Sequence, residues 1–192
     1  MALGGKAMKV KELMEKITSE IRKMSTLIEE TKAESLSSYI LSSPTIFVTG
    51  MGRSGFVARA FAMRLMHLGF NTHFVGEVTT PKIKAKDLLI ACSSSGETAN
   101  VLEAARKSKK VSASICSITS RKDSSLSKLS DLTIIIPGPS KINWKAKVKT
   151  IQPLGSLFEQ TLLIYLDSII ISLMKKKKSS AAEMLKRHTN LE

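Results

Sequence analysis

Five short apolar runs are spaced along the middle of the chain: "TIFVTG" (Thr45–Gly50), "THFVG" (Thr72–Gly76), "DLLIACS" (Asp87–Ser93), "SASICSIT" (Ser112–Thr119) and "DLTIIIPG" (Asp131–Gly138). Runs that are apolar at nearly every position are strands covered on both faces. When helices separate them, the strands lie parallel and the helices form the covering layers. The spacing predicts helices over about Ser54–His67, stopped by Gly69, and about Glu97–Lys107, with a helical turn after "RKDSS". This pattern gives an α/β, doubly wound fold.

Helices flank this core. Val10, Leu13, Ile17, Ile21, Met24 and Ile28 recur at three- and four-residue steps, which predicts one amphipathic helix to about Glu30, with a second short one to Leu41. A loop over Gly138–Gly155 leads into a long helix over about Ser156–Met174, and "SAAEMLKRH" makes a last helix. The chain of 192 residues is read as one domain. Its N-terminal helices span about 8–41, the sheet core about 44–137 and the C-terminal helices about 154–188.

The net charge is +14, from 30 Lys and Arg against 16 Asp and Glu. Such a surface attracts anions of any kind. Stacking aromatics interleaved with basic residues, which single-stranded nucleic acid calls for, are missing: aromatics are 5% of the chain and Trp144 is its one tryptophan. Lys175–Lys178 closes the long helix, where cations suit the dipole, so no nucleic-acid partner is expected. The most apolar stretch, Leu162–Met174, falls short of the roughly 20 residues needed to span a bilayer, so no membrane partner is expected. "MALGGKAMKV" lacks a signal-peptide core, and Cys92 and Cys116 in apolar runs read as buried free thiols, so the expected location is cytoplasmic. No cluster with metal-ligand spacing stands out, so no metal and no cofactor is expected.

The candidate site begins in "ACSSSGETAN" (Ala91–Asn100), where hydroxyls crowd the end of a buried strand. In a doubly wound sheet, ligands sit at the C-terminal strand ends, and helix N-termini there offer free N–H groups and a positive dipole end. Two loops meet these conditions, Gly50–Gly55 and Ser93–Thr98. Ser54, Ser93, Ser95 and Thr98 then surround one phosphate monoester, with Ser94 acting through its backbone N–H. Gly52 and Gly96 let the chain turn close to it, and Arg53 pairs with the phosphate or braces the loop. A capping box, Ser95 to Thr98 or Ser94 to Glu97, explains one of these hydroxyls but not the whole run. Gly50-Met51-Gly52-Arg53-Ser54-Gly55 also fits the dinucleotide fingerprint G-x-G-x-x-G, with Glu77 where a ribose-binding acid can stand. The bulky Arg53 and Ser54 sit poorly against a pyrophosphate.

"GMGRSG", "SSSGET" and "PLGSLFEQ" resemble the sugar isomerase (SIS) domain. "AMRLMHLGF", "VGEVTTPKI", "QPLGSLFE" and the terminal "KRHTNLE" resemble, more narrowly, the 6-phospho-3-hexuloisomerases, and the similarity runs over nearly the whole chain. The resemblance implies a three-layer α-β-α fold around a five-stranded parallel sheet. It also implies a homotetramer with sites near subunit interfaces, and conversion of D-arabino-hex-3-ulose 6-phosphate to fructose 6-phosphate in the ribulose monophosphate route. It assigns Ser54 and Ser93–Thr98 to the phosphate and Glu159 to the catalytic base. Ser94 departs from the pattern, since relatives often carry Gly there.

Moving a carbonyl from C3 to C2 passes through a 2,3-enediol, and one carboxylate beside both carbons can carry the proton. The enediolate oxygen needs a donor: His67 is one candidate, and His188 is another, supplied by a neighbouring subunit. His73, within a strand, is the weakest of the three. Two other readings stay open on the sequence: a non-catalytic phosphosugar-sensing module, and a nicotinamide-dependent oxidoreductase built on the Gly50–Gly55 loop.

Overall fold

The computed structural model describes residues 8–139 and 148–191. The middle of the predicted loop Gly138–Gly155 therefore lies outside the described residues. The strands are β1 (Ile46–Gly50), β2 (Thr72–Phe74), β3 (Leu88–Cys92), β4 (Ser114–Thr119) and β5 (Leu132–Ile135). All pair in parallel, in the order β2-β1-β3-β4-β5. The helices are α1 (Val10–Ser25), α2 (Glu30–Ser42), α3 (Gly52–His67), α4 (Ala99–Lys110), α5 (Ser125–Leu129), α6 (Ser156–Lys176) and α7 (Ala181–Leu185). The five expected strands and the doubly wound class are all present.

Period-two alternation sorts the strand side chains between two cores. Ile46, Val48, Leu88, Ile90, Cys116 and Ile118 point to the face covered by α2, α3 and α6. Phe47, Leu89, Ala91 and Ile115 point the other way, onto Val101, Leu102 and Ala105 of α4 and Leu126 of α5. The central strands β1 and β3 are buried at every residue, whereas edge strand β2 is half-buried throughout.

The N-terminal stripe is one helix that ends at Ser25 instead of running to about Glu30, and the second expected helix follows as α2. The chain leaves α1 at Thr26, and Ile28 packs on the core from the turn before α2. α6 extends two residues past the predicted Met174, to Lys176. At 21 residues it is long and apolar enough to cross a membrane by length and composition. Instead its inner face, with Phe158, Leu162, Leu166, Ile169, Ile170 and Leu173, closes the core over the sheet.

The order 2-1-3-4-5 has its topological switch point between β1 and β3, where successive crossovers depart to opposite faces and open a crevice at the C-terminal strand ends. Gly50 and Cys92, the last residues of β1 and β3, pair across that point.

Candidate active site

Three segments border a cavity of about 550 Å³ at the switch point: Met51–Ser54 between β1 and α3, Cys92–Ser95 with Thr98 between β3 and α4, and Pro153–Glu159 at the entry to α6. The N-termini of α3, α4 and α6 all meet it. None of their cap residues, Met51, Thr98 and Gly155, folds a side chain back onto its helix. The N–H groups in the first turns of α3 and α4 have no partner within their helices and remain available to an anion, whereas the Ser156 N–H at the start of α6 donates to the Pro153 carbonyl.

The glycines of the first loop act on the backbone. An added Cβ at Gly55 would stand 2.6 Å from the Gly50 carbonyl oxygen, so Gly55 lets α3 start directly against the end of β1. Gly52 sits at φ +58°, a left-handed conformation that glycine adopts without strain. Close helix–strand packing thus accounts for Gly50 and Gly55, and the left-handed turn for Gly52. Glu77, the candidate ribose-binding acid, is ion-paired with Arg59 of α3.

The second loop is internally braced. Ser93 Oγ lies 2.9 Å from Thr98 Oγ1 and accepts from the Gly96 N–H at 3.1 Å. Ser95 Oγ accepts from the Glu97 N–H. The Ser94 carbonyl accepts from Thr119 Oγ1, Ser120 Oγ and the Ser120 N–H, which pins the loop to the end of β4. The capping box weighed as an alternative at the start of α4 does not form: the helix begins at Ala99, and Glu97 reaches away to cap α5, its Oε1 accepting from the Ser125 N–H at 2.9 Å. That backbone hydrogen bond, with the one from the Ser125 side chain, holds the Glu97 carboxyl below its ordinary range.

Gly96 turns the loop at φ +66°, but against protein and not against the cavity. A Cβ there would collide with the Ser124 hydroxyl at 2.2 Å. Ser54, Ser93, Ser94, Ser95, Thr98, Gly52 and Arg53 do border the cavity. Burial pushes the Cys92 thiol, at the cavity floor, up to about 12, so it stays protonated at neutral pH.

Glu159, in the first turn of α6, faces these hydroxyls from the third segment. Its Oε2 accepts from Arg53 Nε at 2.5 Å. Arg53 is 64% exposed and Glu159 15%, so the pair aims the carboxylate more than it adds stability. Arg53 thus ties the first loop to Glu159 at the start of α6.

The histidines lie elsewhere. His67 is the last residue of α3, whose first turn carries Ser54, which puts it roughly 20 Å along the helix from the cavity. It stacks on His188 at 5.0 Å between ring centroids. The structure brings the two candidate donors to each other, and neither to the Glu159 of the same chain. His73, the third, lies on edge strand β2 beside Asn71. Burial, with His188 and Arg64 nearby, holds the His67 imidazole below its ordinary 6.5. A buried base of this kind stays neutral when folded and binds a proton more readily when unfolded. Stability is therefore intact above pH 6.5 and declines as pH falls from there through the folded value. Thermal melts between pH 7.5 and 5.5 are expected to show this decline in the wild type and a flatter profile in His67→Gln.

Pro153, Leu154, Gly155 and Ser156 lie in a stretch that carried only the family resemblance; they border the cavity because the entry to α6 folds over it, while Met51 borders it from the β1–α3 loop. Leu154 sits at φ +51°, a left-handed conformation costing a β-carbon-bearing residue about 1–2 kcal/mol. Glu20 of α1 binds the segment just before it. The one hint in the sequence was an acid on the same helix face as Ile17, Ile21 and Met24.

Comparison with known proteins agrees with this architecture. The family model for the SIS domain matches residues 39–164. A Bacillus subtilis protein named 3-hexulose-6-phosphate isomerase is 44% identical over 96% of this chain and 100% of its own length. A Mycobacterium gastri protein of the same name is 38% identical over 92% of this chain and 88% of its own. A solved structure from Methanococcus jannaschii, whose authors infer a molecular function of 3-hexulose-6-phosphate isomerase, is 38% identical. It superposes with a TM-score of 0.81 over 94% of this chain and 99% of that one. With a hydroxyl-lined crevice at its sheet switch point and this similarity over nearly its full length, the chain belongs to the SIS-domain family, among its 3-hexulose-6-phosphate isomerases.

Proposed function

We propose that the protein interconverts D-arabino-hex-3-ulose 6-phosphate and fructose 6-phosphate through a 2,3-enediol. The observation that carries this reading is one cavity with hydroxyl-lined helix N-termini on one side and a single carboxylate, Glu159, on the other. The phosphate rests on the Ser54, Ser93, Ser95 and Thr98 hydroxyls and the first-turn N–H groups of α3 and α4. That anchors C6 and leaves the opposite end of the sugar at Glu159. Glu159 takes the C2 proton, that bond's electron pair becomes the 2,3-double bond and the C3 carbonyl pair moves onto O3; a proton passes from O2 to O3, the carbonyl re-forms at C2, and the same carboxylate returns its proton to C3. Arg53 holds the carboxylate on its outer oxygen, which keeps the other turned to the substrate. The 3-keto sugar cannot close a ring through O5 without forming four members, and its O6 is esterified. The substrate therefore enters open-chain.

The protein works in the cytoplasm as a homotetramer with its sites near subunit interfaces. Exposed apolar side chains support an assembly: Val10 and Met14 on α1, Ile164 and Ile171 on α6, and Phe56 and Leu154 beside the cavity. In this arrangement, a histidine acting on the enediolate oxygen belongs to a neighbouring copy. The net charge of +14 draws the dianionic substrate in, so kcat/KM falls with added salt.

The test is proton exchange. Incubated with fructose 6-phosphate in deuterated water, the protein is expected to exchange the C3 hydrogen and to form the 3-hexulose, both visible by NMR. A sensing module binds the sugar without exchange, and an oxidoreductase changes the absorbance of added nicotinamide cofactor instead. Either result, in place of exchange, overturns the reading.

A further inference from the structure

The entry to α6 carries the base, yet most of it has no regular structure of its own. Residues 148–155 form neither helix nor strand, and Pro153 has no N–H to donate. Two local hydrogen bonds shape the segment, Gln152 N–H to Thr150 Oγ1 and Ser156 N–H to the Pro153 carbonyl. Neither ties it to the rest of the protein. Among the described residues, the hydrogen bonds from 148–154 to other elements all end on one side chain, Glu20 of α1. Thr150 Oγ1 donates to its Oε2 at 2.6 Å, Gln152 Nε2 to the same oxygen at 2.9 Å, and the Ile151 N–H to Oε1 at 2.9 Å. α1 is itself fixed by packing against α6.

We infer that Glu20 is a positioning residue for the reaction: it clamps the Thr150–Gln152 strap, and through it the Pro153–Gly155 turn and the base Glu159. The inference rests on the isomerase reading for its catalytic purpose. Three donors converge on two oxygens, so the clamp needs a carboxylate. An amide of the same shape replaces one acceptor with a donor facing donors, and the array cannot survive it. Burial pushes the Glu20 carboxyl up, but the hydrogen bonds from Thr150, Gln152 and Ile151, with Lys23 nearby, outweigh it and hold the group below its ordinary range. The clamp is therefore ionised at neutral pH. Leu154 keeps its left-handed backbone between this clamp on one side and the first turn of α6 on the other. Released from Glu20, the turn relaxes and the carboxylate of Glu159 drifts, while the Ser93–Thr98 loop, held by β4 and α5, stays in place.

The experiment compares the wild-type chain with Glu20→Gln, at a temperature where circular dichroism shows both fully folded. The expected result is a fall in kcat of about 10- to 100-fold with KM for fructose 6-phosphate changed less than about 2-fold, because the base moves and the phosphate cradle does not. Hydrogen exchange at the Ile151 amide rises in parallel. Thr150→Val, which keeps the carboxylate and removes one donor, gives a smaller fall in kcat. Combined with Glu20→Gln, it adds little. Wild-type kcat in Glu20→Gln overturns the inference, and so does a loss that appears in KM instead of kcat. An unchanged Ile151 exchange rate overturns the clamp itself. Should the wild type fail to exchange the C3 hydrogen, the isomerase reading falls and takes Glu20's catalytic purpose with it, while the Ile151 amide still decides whether the clamp exists.

Discussion

Glu159→Gln is expected to lose isomerisation by about 10²–10⁴-fold while still binding fructose 6-phosphate. The amide keeps the shape of the carboxylate and accepts from Arg53 on one oxygen, but it cannot take a proton from C2 at neutral pH. The proposed phosphate contacts lie on the β1–α3 and β3–α4 loops; the second is pinned to β4, and the amide, still accepting from Arg53, leaves the first in place. Binding by calorimetry should therefore stay within a few-fold of wild type while C3 exchange nearly vanishes. Losing an exposed ion pair costs at most about 1 kcal/mol, so the variant should melt near the wild type. Normal exchange in the variant removes Glu159 as the base, and lost binding reassigns it to the substrate cradle.

Gly55→Ala carries the second large effect, and there the sign has to be argued. Gly55 lies in the first turn of α3, where helix propensity alone makes Ala more favourable by about 1 kcal/mol. Against that, the new methyl would stand 2.6 Å from the Gly50 carbonyl oxygen and 3.0 Å from its carbon. Both are backbone atoms of a central strand buried at every residue, so neither swings aside as a flexible side chain can. Overpacking of this kind costs about 1–3 kcal/mol, and the start of α3 must lift from β1 to relieve it. The net expectation is a loss of up to about 2 kcal/mol, a Tm lower by up to roughly 8 °C for a chain of this size. Gly52, Arg53 and Ser54 move with the helix start, so KM for the sugar phosphate rises as well. A variant as stable and as active as wild type would show that the β1–α3 junction tolerates a separation the close contact argues against.

The residues that were legible share one property: their signal is local. The five strands, the helices between them and the covered sheet follow from runs of a few residues each, because period-two burial and 3.6-residue stripes are written within a single element. The hydroxyl-rich loop is equally local, since a strand end, a turn and a helix start occupy Ala91–Ala99. Errors arose where one pattern allowed two continuations. The apolar stripe of α1 runs on in phase to Ile28, although the chain turns at Thr26. Glu97 fits a capping box at α4 on spacing alone, although its carboxylate is spent on α5. Gly96 has the left-handed backbone expected of it, for the sake of Ser124 rather than a ligand.

By itself, the sequence determined a parallel α/β sheet with a hydroxyl-lined crevice at the ends of β1 and β3. It did so because those features depend only on neighbours along the chain. Tertiary structure alone decided that Arg53 holds Glu159, that Glu20 holds the strap before it, and that His67 meets His188 far from both. These partners lie more than a hundred residues apart. Periodicity states which face of an element is buried, whereas the register in which whole helices pack determines which polar side chain meets it there.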